Sequence, residues 1–116
     1  MPEANVSMSV RKPSQGISVI DIVGQVTGFA EKVMTEAYEQ ASANGTKFIL
    51  LNFTELEYMN SSGIGLLVTM LIRAQRSNCK LAACGLSSHY RQIFELTRLD
   101  DAIAIYETEG DALEAV

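Results

Sequence analysis

Hydrophobic and polar positions alternate near the start of the chain, as expected for strands with one buried face. The alternation covers NVSMSVR (residues 5–11) and GISVIDIV (residues 16–23). It predicts two strands joined by a turn at Pro13 and Gly16.

The period changes after Gly24, where apolar residues begin to recur every three or four positions. This spacing predicts an amphipathic helix that ends at NG, residues 44–45. Its predicted apolar face consists of Phe29, Ala30, Val33, Met34, Ala37, Tyr38 and Ala41. The chain therefore begins with a strand, a second strand and a helix that crosses over to a third strand.

Continuous apolar runs later in the chain predict strands that are covered by other elements. These strands span residues 46–53, 80–84 and 102–106. Helices are predicted over residues 62–77, roughly residues 88–97 and from Thr108, where TEGD has the form of a capping box. Strands that alternate with helices predict an α/β fold with a largely parallel sheet.

Length and charge narrow the possible functions. The chain has 116 residues, of which 47% are hydrophobic, and this suits one compact domain. Its net charge of -5 and pI near 4.8 disfavour nucleic acid and anionic membrane surfaces as partners. No apolar run has the length of a signal peptide core or a membrane span, so we expect a cytoplasmic protein. The spacing of Cys79 and Cys84 predicts buried free thiols rather than a metal or redox site.

The segment NSSGIG, residues 60–65, lies between a predicted buried strand and the next helix. Ligands of open α/β sheets collect at such carboxyl ends of strands. One interpretation is structural: Ser61 or Ser62 caps the helix, and Gly63 and Gly65 let it approach the sheet. This interpretation leaves the two consecutive hydroxyls and Asn60 unexplained.

An enzymatic interpretation has less support. The segment lacks the third glycine of a dinucleotide fingerprint and the lysine of a phosphate-binding loop. Met59 stands where a hydrolase nucleophile motif requires glycine. The single histidine, His89, has no evident catalytic partner. We therefore predict a protein that is not an enzyme and that needs no metal or cofactor.

Modification is the third interpretation. A serine at a helix N-terminus is accessible, and a phosphate there meets free amides and the positive end of the helix dipole. The domain can thus tolerate the phosphate, whereas a partner that docks on the same surface need not tolerate it.

The chain resembles the STAS domains of bacterial anti-sigma factor antagonists. The resemblance extends from about Ile17 to Leu113 and is most specific in MNSSGIGLL and ELTRLDDAIAIY. It implies a single STAS-like domain over residues 1–116, with a mixed, largely parallel sheet of four to five strands. Helices would pack mainly on one side of this sheet.

The resemblance also implies a phosphorylation switch that regulates transcription by exchange of partners. In this family, a partner that is both kinase and anti-sigma factor phosphorylates the serine that corresponds to Ser61. The unmodified antagonist binds the kinase and frees the sigma factor, and a metal-dependent serine phosphatase resets it. Ser62 would contribute a cap.

Two positions depart from the family pattern. Many members carry aspartate where this chain has Asn60, and many carry another near Thr27. Asparagine keeps a carbonyl acceptor but has no charge, so Asn60 can orient Ser61 but cannot help to deprotonate it. Because a kinase supplies most of the phosphoryl-transfer machinery, phosphorylation remains the expectation.

The predicted helix that begins at Ser62 suggests a partner surface. Its broad apolar face, assigned to the core, consists of Ile64, Leu67, Val68, Leu71 and Ile72. Leu66 and Met70 fall nearly opposite, beside Arg73, and are predicted to be exposed. We predict that Leu66 and Met70, with Arg73 at their border, form a docking surface for a partner close to Ser61. The alternative is that a neighbouring helix covers these two apolar residues.

Two other functions remain open at this point. The domain can be a scaffold or ligand-sensing module that is never phosphorylated and that self-associates or joins a signalling complex. It can also be a small nucleotide-handling enzyme. Fold alone does not decide between these functions.

Overall fold

Five strands form one sheet in the computed structural model, which describes residues 5–116. Residues 1–4, which the predicted domain includes, lie outside this part. The strands follow chain order across the sheet. They are β1 (Val6–Ser14), β2 (Ile17–Val26), β3 (Phe48–Met59), β4 (Lys80–Cys84) and β5 (Ala104–Tyr106). β1 is antiparallel to β2 and the other pairs are parallel, which confirms the predicted mixed, largely parallel sheet.

Of the four α-helices in residues 5–116, three cover one face of this sheet. The helices are α1 (Glu31–Ser42), α2 (Ser61–Arg76), α3 (Ser88–Leu96) and α4 (Glu109–Glu114). The first three bury the main core against one face of the strands, with Phe53, Leu67 and Phe94 almost fully buried. The short helix α4 covers a smaller cluster on the other face, around Leu50 and Ala112. The prediction that helices pack mainly on one side is confirmed.

β3 is longer than predicted and carries two bulges. The prediction ends this strand at Phe53, but it continues to Met59. Its register against β2 shifts once between Asp21 and Val23 and again after Gly24. Each bulge adds a residue to β3 and redirects the strand. The sequence did not predict the extension because its residues, TELEY, are mostly polar. They are polar because this end of β3 is no longer paired with β4 and one of its faces is not covered by a helix.

Other boundaries moved by a few residues. β1 runs through Pro13, which lies at an irregularity near the end of an edge strand rather than in the turn. β5 begins at Ala104. Phe29, predicted on the buried face of α1, is 60% exposed in a 3-10 turn before this helix. Its apolar character matched the helical period by coincidence, because β2 continues to Val26 and delays the helix.

Candidate phosphorylation site at the start of helix α2

Hydrogen bonds from two other elements fix the turn between β3 and α2. The backbone N–H of Met59 donates to the buried hydroxyl of Tyr90, on α3, at 2.8 Å. The backbone N–H of Asn60 donates to the carbonyl oxygen of Val26, at the end of β2, at 3.3 Å. The turn is therefore held between β2 and α3, and its position does not depend on a serine hydroxyl.

Asn60 is the N-cap of α2, so the prediction that Ser61 or Ser62 is the cap is wrong. The side-chain oxygen of Asn60 accepts a hydrogen bond from the backbone N–H of Gly63 at 2.9 Å. Its carbonyl oxygen accepts from the N–H of Ile64 at 3.0 Å. Ser61 and Ser62 thus occupy the first two helical positions. Sequence alone did not locate the cap because asparagine and serine favour this position about equally.

Gly63 is required by the close approach of α2 to β2. A Cβ atom on Gly63 would lie 2.1 Å from the carbonyl oxygen of Val26, far closer than real contacts allow. The same oxygen accepts the hydrogen bond from Asn60, so it cannot move aside without loosening the turn. The prediction that a glycine lets the helix approach the sheet is confirmed at this position.

Gly65 has no such requirement. Its surroundings are open, because a Cβ atom on this exposed residue would meet no neighbouring atom within 4 Å. A glycine inside a helix costs about 1 kcal/mol relative to alanine. No contact within the described structure offsets that cost, so the predicted packing role is wrong for Gly65.

Ser61 and Ser62 present free groups to solvent. Both residues are exposed, and no described residue forms a hydrogen bond with either hydroxyl. Their backbone N–H groups precede the first bonds within the helix and point away from it. A negatively charged group on Ser61 would thus meet free donors and the positive end of the helix dipole.

The loop after β2 reaches the same surface. A Cβ atom on Gly28 would lie 3.5 Å from the Cβ of Ser62, so this loop and the serine turn are neighbours. The exposed ring of Phe29 follows directly. Thr27, one of the two departures from the family pattern, accepts a hydrogen bond from the N–H of Phe29 at 3.3 Å and caps the short 3-10 turn.

The exposure of the apolar residues on α2 differs from the prediction. Met70 is 3% exposed and Leu66 is half-buried against the core, although both were predicted to face solvent. Val68 and Ile72, predicted in the core, are 37% and 43% exposed. Apolar residues occupy most of the circumference of α2, so periodicity did not fix its rotation. The contact of Gly63 with β2 fixes the rotation of α2.

Arg73, the third predicted contact residue, lies beside α1. Its guanidinium carbon is 4.6 Å from the centre of the Tyr38 ring, in a cation–π arrangement. Leu66 and Met70 line the same boundary between α1 and α2. The predicted alternative, that a neighbouring helix covers these two apolar residues, is therefore the one that the structure supports.

A different set of residues forms the outer surface of α2. Ser61, Gly65, Val68 and Ile72 are spaced by four, three and four residues, so they share one solvent-facing side of the helix. We call this set the α2 stripe. This surface is recognised because two exposed apolar residues, Val68 and Ile72, lie in line with Gly65 and Ser61. Finding it requires knowledge of the rotation of the helix.

Charged groups gather on the opposite face of the sheet. The Arg11 guanidinium bonds to Asp21 at 2.5 and 2.9 Å and to Glu109 of α4 at 2.5 and 3.1 Å. The bond from Arg11 is the main reason why the pKa of Asp21 is lowered. Asn52 donates to Asp21 at 2.8 Å and extends the network to β3. No local sequence pattern predicts this network, because its members are far apart in the chain.

The cysteines are buried free thiols, as predicted. Burial raises the pKa of Cys84 to about 11 and also raises the pKa of Cys79. Both thiols therefore stay protonated at neutral pH. In residues 5–116, no helix is long and apolar enough to cross a membrane.

The mixed five-stranded sheet and its helices match the fold of a solved STAS domain protein from Planctomyces limnophilus. The STAS family model matches residues 9–112, and the chain belongs to this family. The chain is 26% identical over 107 residues to the anti-sigma-B factor antagonist of Listeria monocytogenes, with 92% of this chain and 94% of that relative covered.

Solved structures show the same fold. An anti-sigma factor antagonist from Mycobacterium paratuberculosis matches with a TM-score of 0.81 at 20% identity, over 100% of this chain and 98% of that one. The Bacillus cell fate determinant SpoIIAA in the phosphorylated form matches with a TM-score of 0.68 at 19% identity, over 94% of this chain and 98% of that one.

Proposed function

We propose that the protein is an anti-sigma factor antagonist that binds a serine-kinase anti-sigma factor and releases it when Ser61 is phosphorylated. One observation carries the proposal: Ser61 is exposed in a turn whose hydrogen bonds do not use its hydroxyl. A kinase can therefore modify this oxygen without unfolding the turn. The names of the relatives and the fold shared with a protein solved in a phosphorylated form support the proposal.

The folded domain can carry the phosphate. The new charge of about -1.5 to -2 lies at the positive end of α2, beside the free N–H groups of its first turn. α2 contains no acidic residue that would repel it. Asn60 retains the capping oxygen that an aspartate would supply, yet it places no negative charge next to the phosphate.

The α2 stripe is the proposed docking surface for the kinase. Val68 and Ile72 offer apolar contacts one turn apart, and Gly65 leaves space for close approach between them and Ser61. A phosphate on Ser61 would then lie at the edge of the interface. Because an uncompensated buried charge costs several kcal/mol, we expect binding to weaken by about a hundredfold or more.

A metal-dependent serine phosphatase is the proposed partner that reverses the modification. The phosphate on Ser61 would be accessible to such an enzyme for the same reason that the hydroxyl is accessible to the kinase. The cycle requires no catalytic group from this chain.

Intact-mass measurement tests the modification. The wild-type protein is incubated with ATP and the serine-kinase anti-sigma factor of the organism that encodes it. We expect the gain of one phosphoryl group in the wild type and in Ser62→Ala, but not in Ser61→Ala. Ser62→Ala is the matched control because both serines are exposed in the same turn. Stable binding to the kinase without any mass change would favour the unmodified scaffold instead.

Substitutions of equal exposure test the docking surface. Val68 on the α2 stripe is 37% exposed, and Val23 on the other face of the sheet is 36% exposed. We expect Val68→Lys to weaken binding of the same kinase at least about tenfold, or 1.4 kcal/mol, and Val23→Lys to leave it unchanged. Equal affinities of the two variants would contradict the assignment of the surface.

A further inference from the structure

The outer edge of β1 is a long strand edge to which no described residue is paired. β1 has nine residues and pairs only with β2, whereas β5 at the opposite edge of the sheet has three. The unpaired backbone groups of an edge strand can bond to a strand of another chain. We propose that β1 pairs in antiparallel orientation with β1 of a second copy of this chain, so that two domains share one continuous sheet.

The register of β1 on β2 shows which backbone groups are free. The N–H of Gln25 donates to the carbonyl oxygen of Asn5 at 2.9 Å. Bonded and non-bonded pairs alternate along an antiparallel ladder, so every second residue from Asn5 bonds to β2. The residues between them direct N–H and C=O groups outward. These outward residues are Val6, Met8 and Val10.

The part of the edge that carries these groups lacks charged residues, proline and bulges. Charged side chains and proline discourage contact between strand edges. In β1 they are confined to Arg11, Lys12 and Pro13, at its carboxyl end. The irregularity between Arg11 and Ser14 also lies there. Residues 6–10 are uncharged and regularly paired to β2, so they can accept a second strand.

One register uses every outward group. A two-fold axis at Met8 pairs this residue with its own copy and pairs Val6 with Val10 in both directions. Each pair can exchange both of its N–H···O bonds. In the same register Arg11 lies opposite Asn5, so no like charges meet, whereas a shift toward the carboxyl end brings the two arginines closer together. The strand is therefore complementary to itself, as a symmetric dimer requires.

The side chains also match in this register. Val6, Met8 and Val10 are half-buried on the helix side of the sheet, where the second copy would add apolar neighbours. Ser7 and Ser9 are exposed on the other side, and each would lie opposite the other in the second copy. Apolar groups thus meet apolar groups, and hydroxyls meet hydroxyls.

This dimer would leave Ser61 and the surface around it uncovered. β1 is separated from β3 by β2, and Ser61 lies beyond the carboxyl end of β3. Both copies would present an α2 stripe at the same time.

A charge-swap experiment tests the pairing. One full-length variant carries Ser7→Lys and Ser9→Lys, and another carries Ser7→Glu and Ser9→Glu. In the proposed register, two copies of one variant place like charges directly opposite, which is destabilising. We expect sedimentation equilibrium to show a concentration-dependent dimer for the wild type. Each variant alone should dissociate at least about tenfold more readily, and an equimolar mixture should recover dimers.

Ala104→Lys, an exposed position on β5, is the control for added charge at the other edge and should dimerise like the wild type. Circular dichroism confirms that each variant is folded. A wild type that remains monomeric at all concentrations would overturn the inference. Lysine variants that dimerise as well as the wild type, or mixtures that do not recover dimers, would also overturn it.

Discussion

The two glycines in the first turns of α2 have opposite surroundings. Gly63 faces β2, where a Cβ atom would lie 2.1 Å from the carbonyl oxygen of Val26, whereas Gly65 faces solvent with no neighbour within 4 Å. Both glycines weaken the helix to a similar degree. Only the inner one has a contact that explains its presence. Folding therefore accounts for the inner side of the turn, and we infer that recognition accounts for the outer side.

The largest expected effect is at Gly63. We expect Gly63→Ala to lower the free energy of unfolding by about 3 kcal/mol, because the new methyl group overlaps the Val26 carbonyl and displaces either β2 or α2. Urea unfolding monitored by circular dichroism measures this loss. A variant as stable as the wild type would show that the two elements separate easily, and the contrast with Gly65 would disappear.

The next effect is at Tyr90, which holds the turn from α3. Tyr90→Phe removes the acceptor of the hydrogen bond from Met59 and leaves a buried N–H group without a partner. We expect a loss of about 2 kcal/mol in the free energy of unfolding. Hydrogen exchange of the Met59 amide should accelerate as well. Unchanged exchange at this amide would mean that the contact does not hold the turn.

The cap contributes less. Asn60→Ala removes the oxygen that accepts from Gly63 and should cost about 1 kcal/mol. Asn60→Asp is the matched control, since a carboxylate retains the acceptor and suits the N-terminus of a helix. Thermal unfolding of both variants distinguishes the lost cap from a general intolerance of substitution. Equal losses in both variants would contradict the capping role.

Gly65 should respond in the opposite direction. We expect Gly65→Ala to raise the free energy of unfolding by roughly 0.5–1 kcal/mol, because the site is helical and open. We also expect it to weaken kinase binding. Gly110→Ala is the control: this exposed glycine lies in α4, and a Cβ atom there would meet only the Thr108 hydroxyl, at 3.8 Å. It should not affect binding. A Gly65→Ala variant that binds normally would leave the outer glycine unexplained.

The smallest effect concerns pH and the far face of the sheet. The pKa of Asp21 is lowered in the folded state, mainly by its hydrogen bond with Arg11. Its stabilising contribution is therefore present above the unfolded pKa of about 4 and is lost as the pH falls through the folded value. Because the pair is partly exposed, we expect less than about 1 kcal/mol.

Unfolding in urea at about pH 7 and about pH 3 measures this contribution, and Asp21→Asn should remove that part of the pH dependence. The turn at α2 contains no carboxylate, so the protection of its amides, measured against the exchange of an unstructured chain at the same pH, should not share this dependence. If acid loosened the turn as much as the far face, the two regions would not be independent.

The alternation of strands and helices was predictable from local patterns because each element buries a face of its own. The strand KLAAC, residues 80–84, was predicted with its correct bounds. The hydroxyl of Thr108 accepts a hydrogen bond from the backbone N–H of Asp111, as the TEGD sequence predicted. β3 was predicted too short because its last residues pair on one side only. Their polar character follows from an uncovered surface, which a local pattern does not reveal.

The site was predictable in composition but not in orientation. Ser61 was placed at the mouth of a helix after a parallel strand, and the structure agrees. The identity of the cap and the rotation of α2 depended on a single backbone contact, between Gly63 and Val26. A contact between segments that are far apart in the chain leaves no periodic signal. The docking surface therefore required three-dimensional information.

The open surroundings of Gly65 have an evolutionary consequence. A descendant of this gene that lost its binding partner would still need a glycine at position 63 to fold, but nothing would preserve the one at position 65. Replacement of Gly65 would even raise the free energy of unfolding of such a descendant. Among duplicated copies of the gene, that replacement should therefore be an early mark of a copy that no longer uses the proposed docking surface.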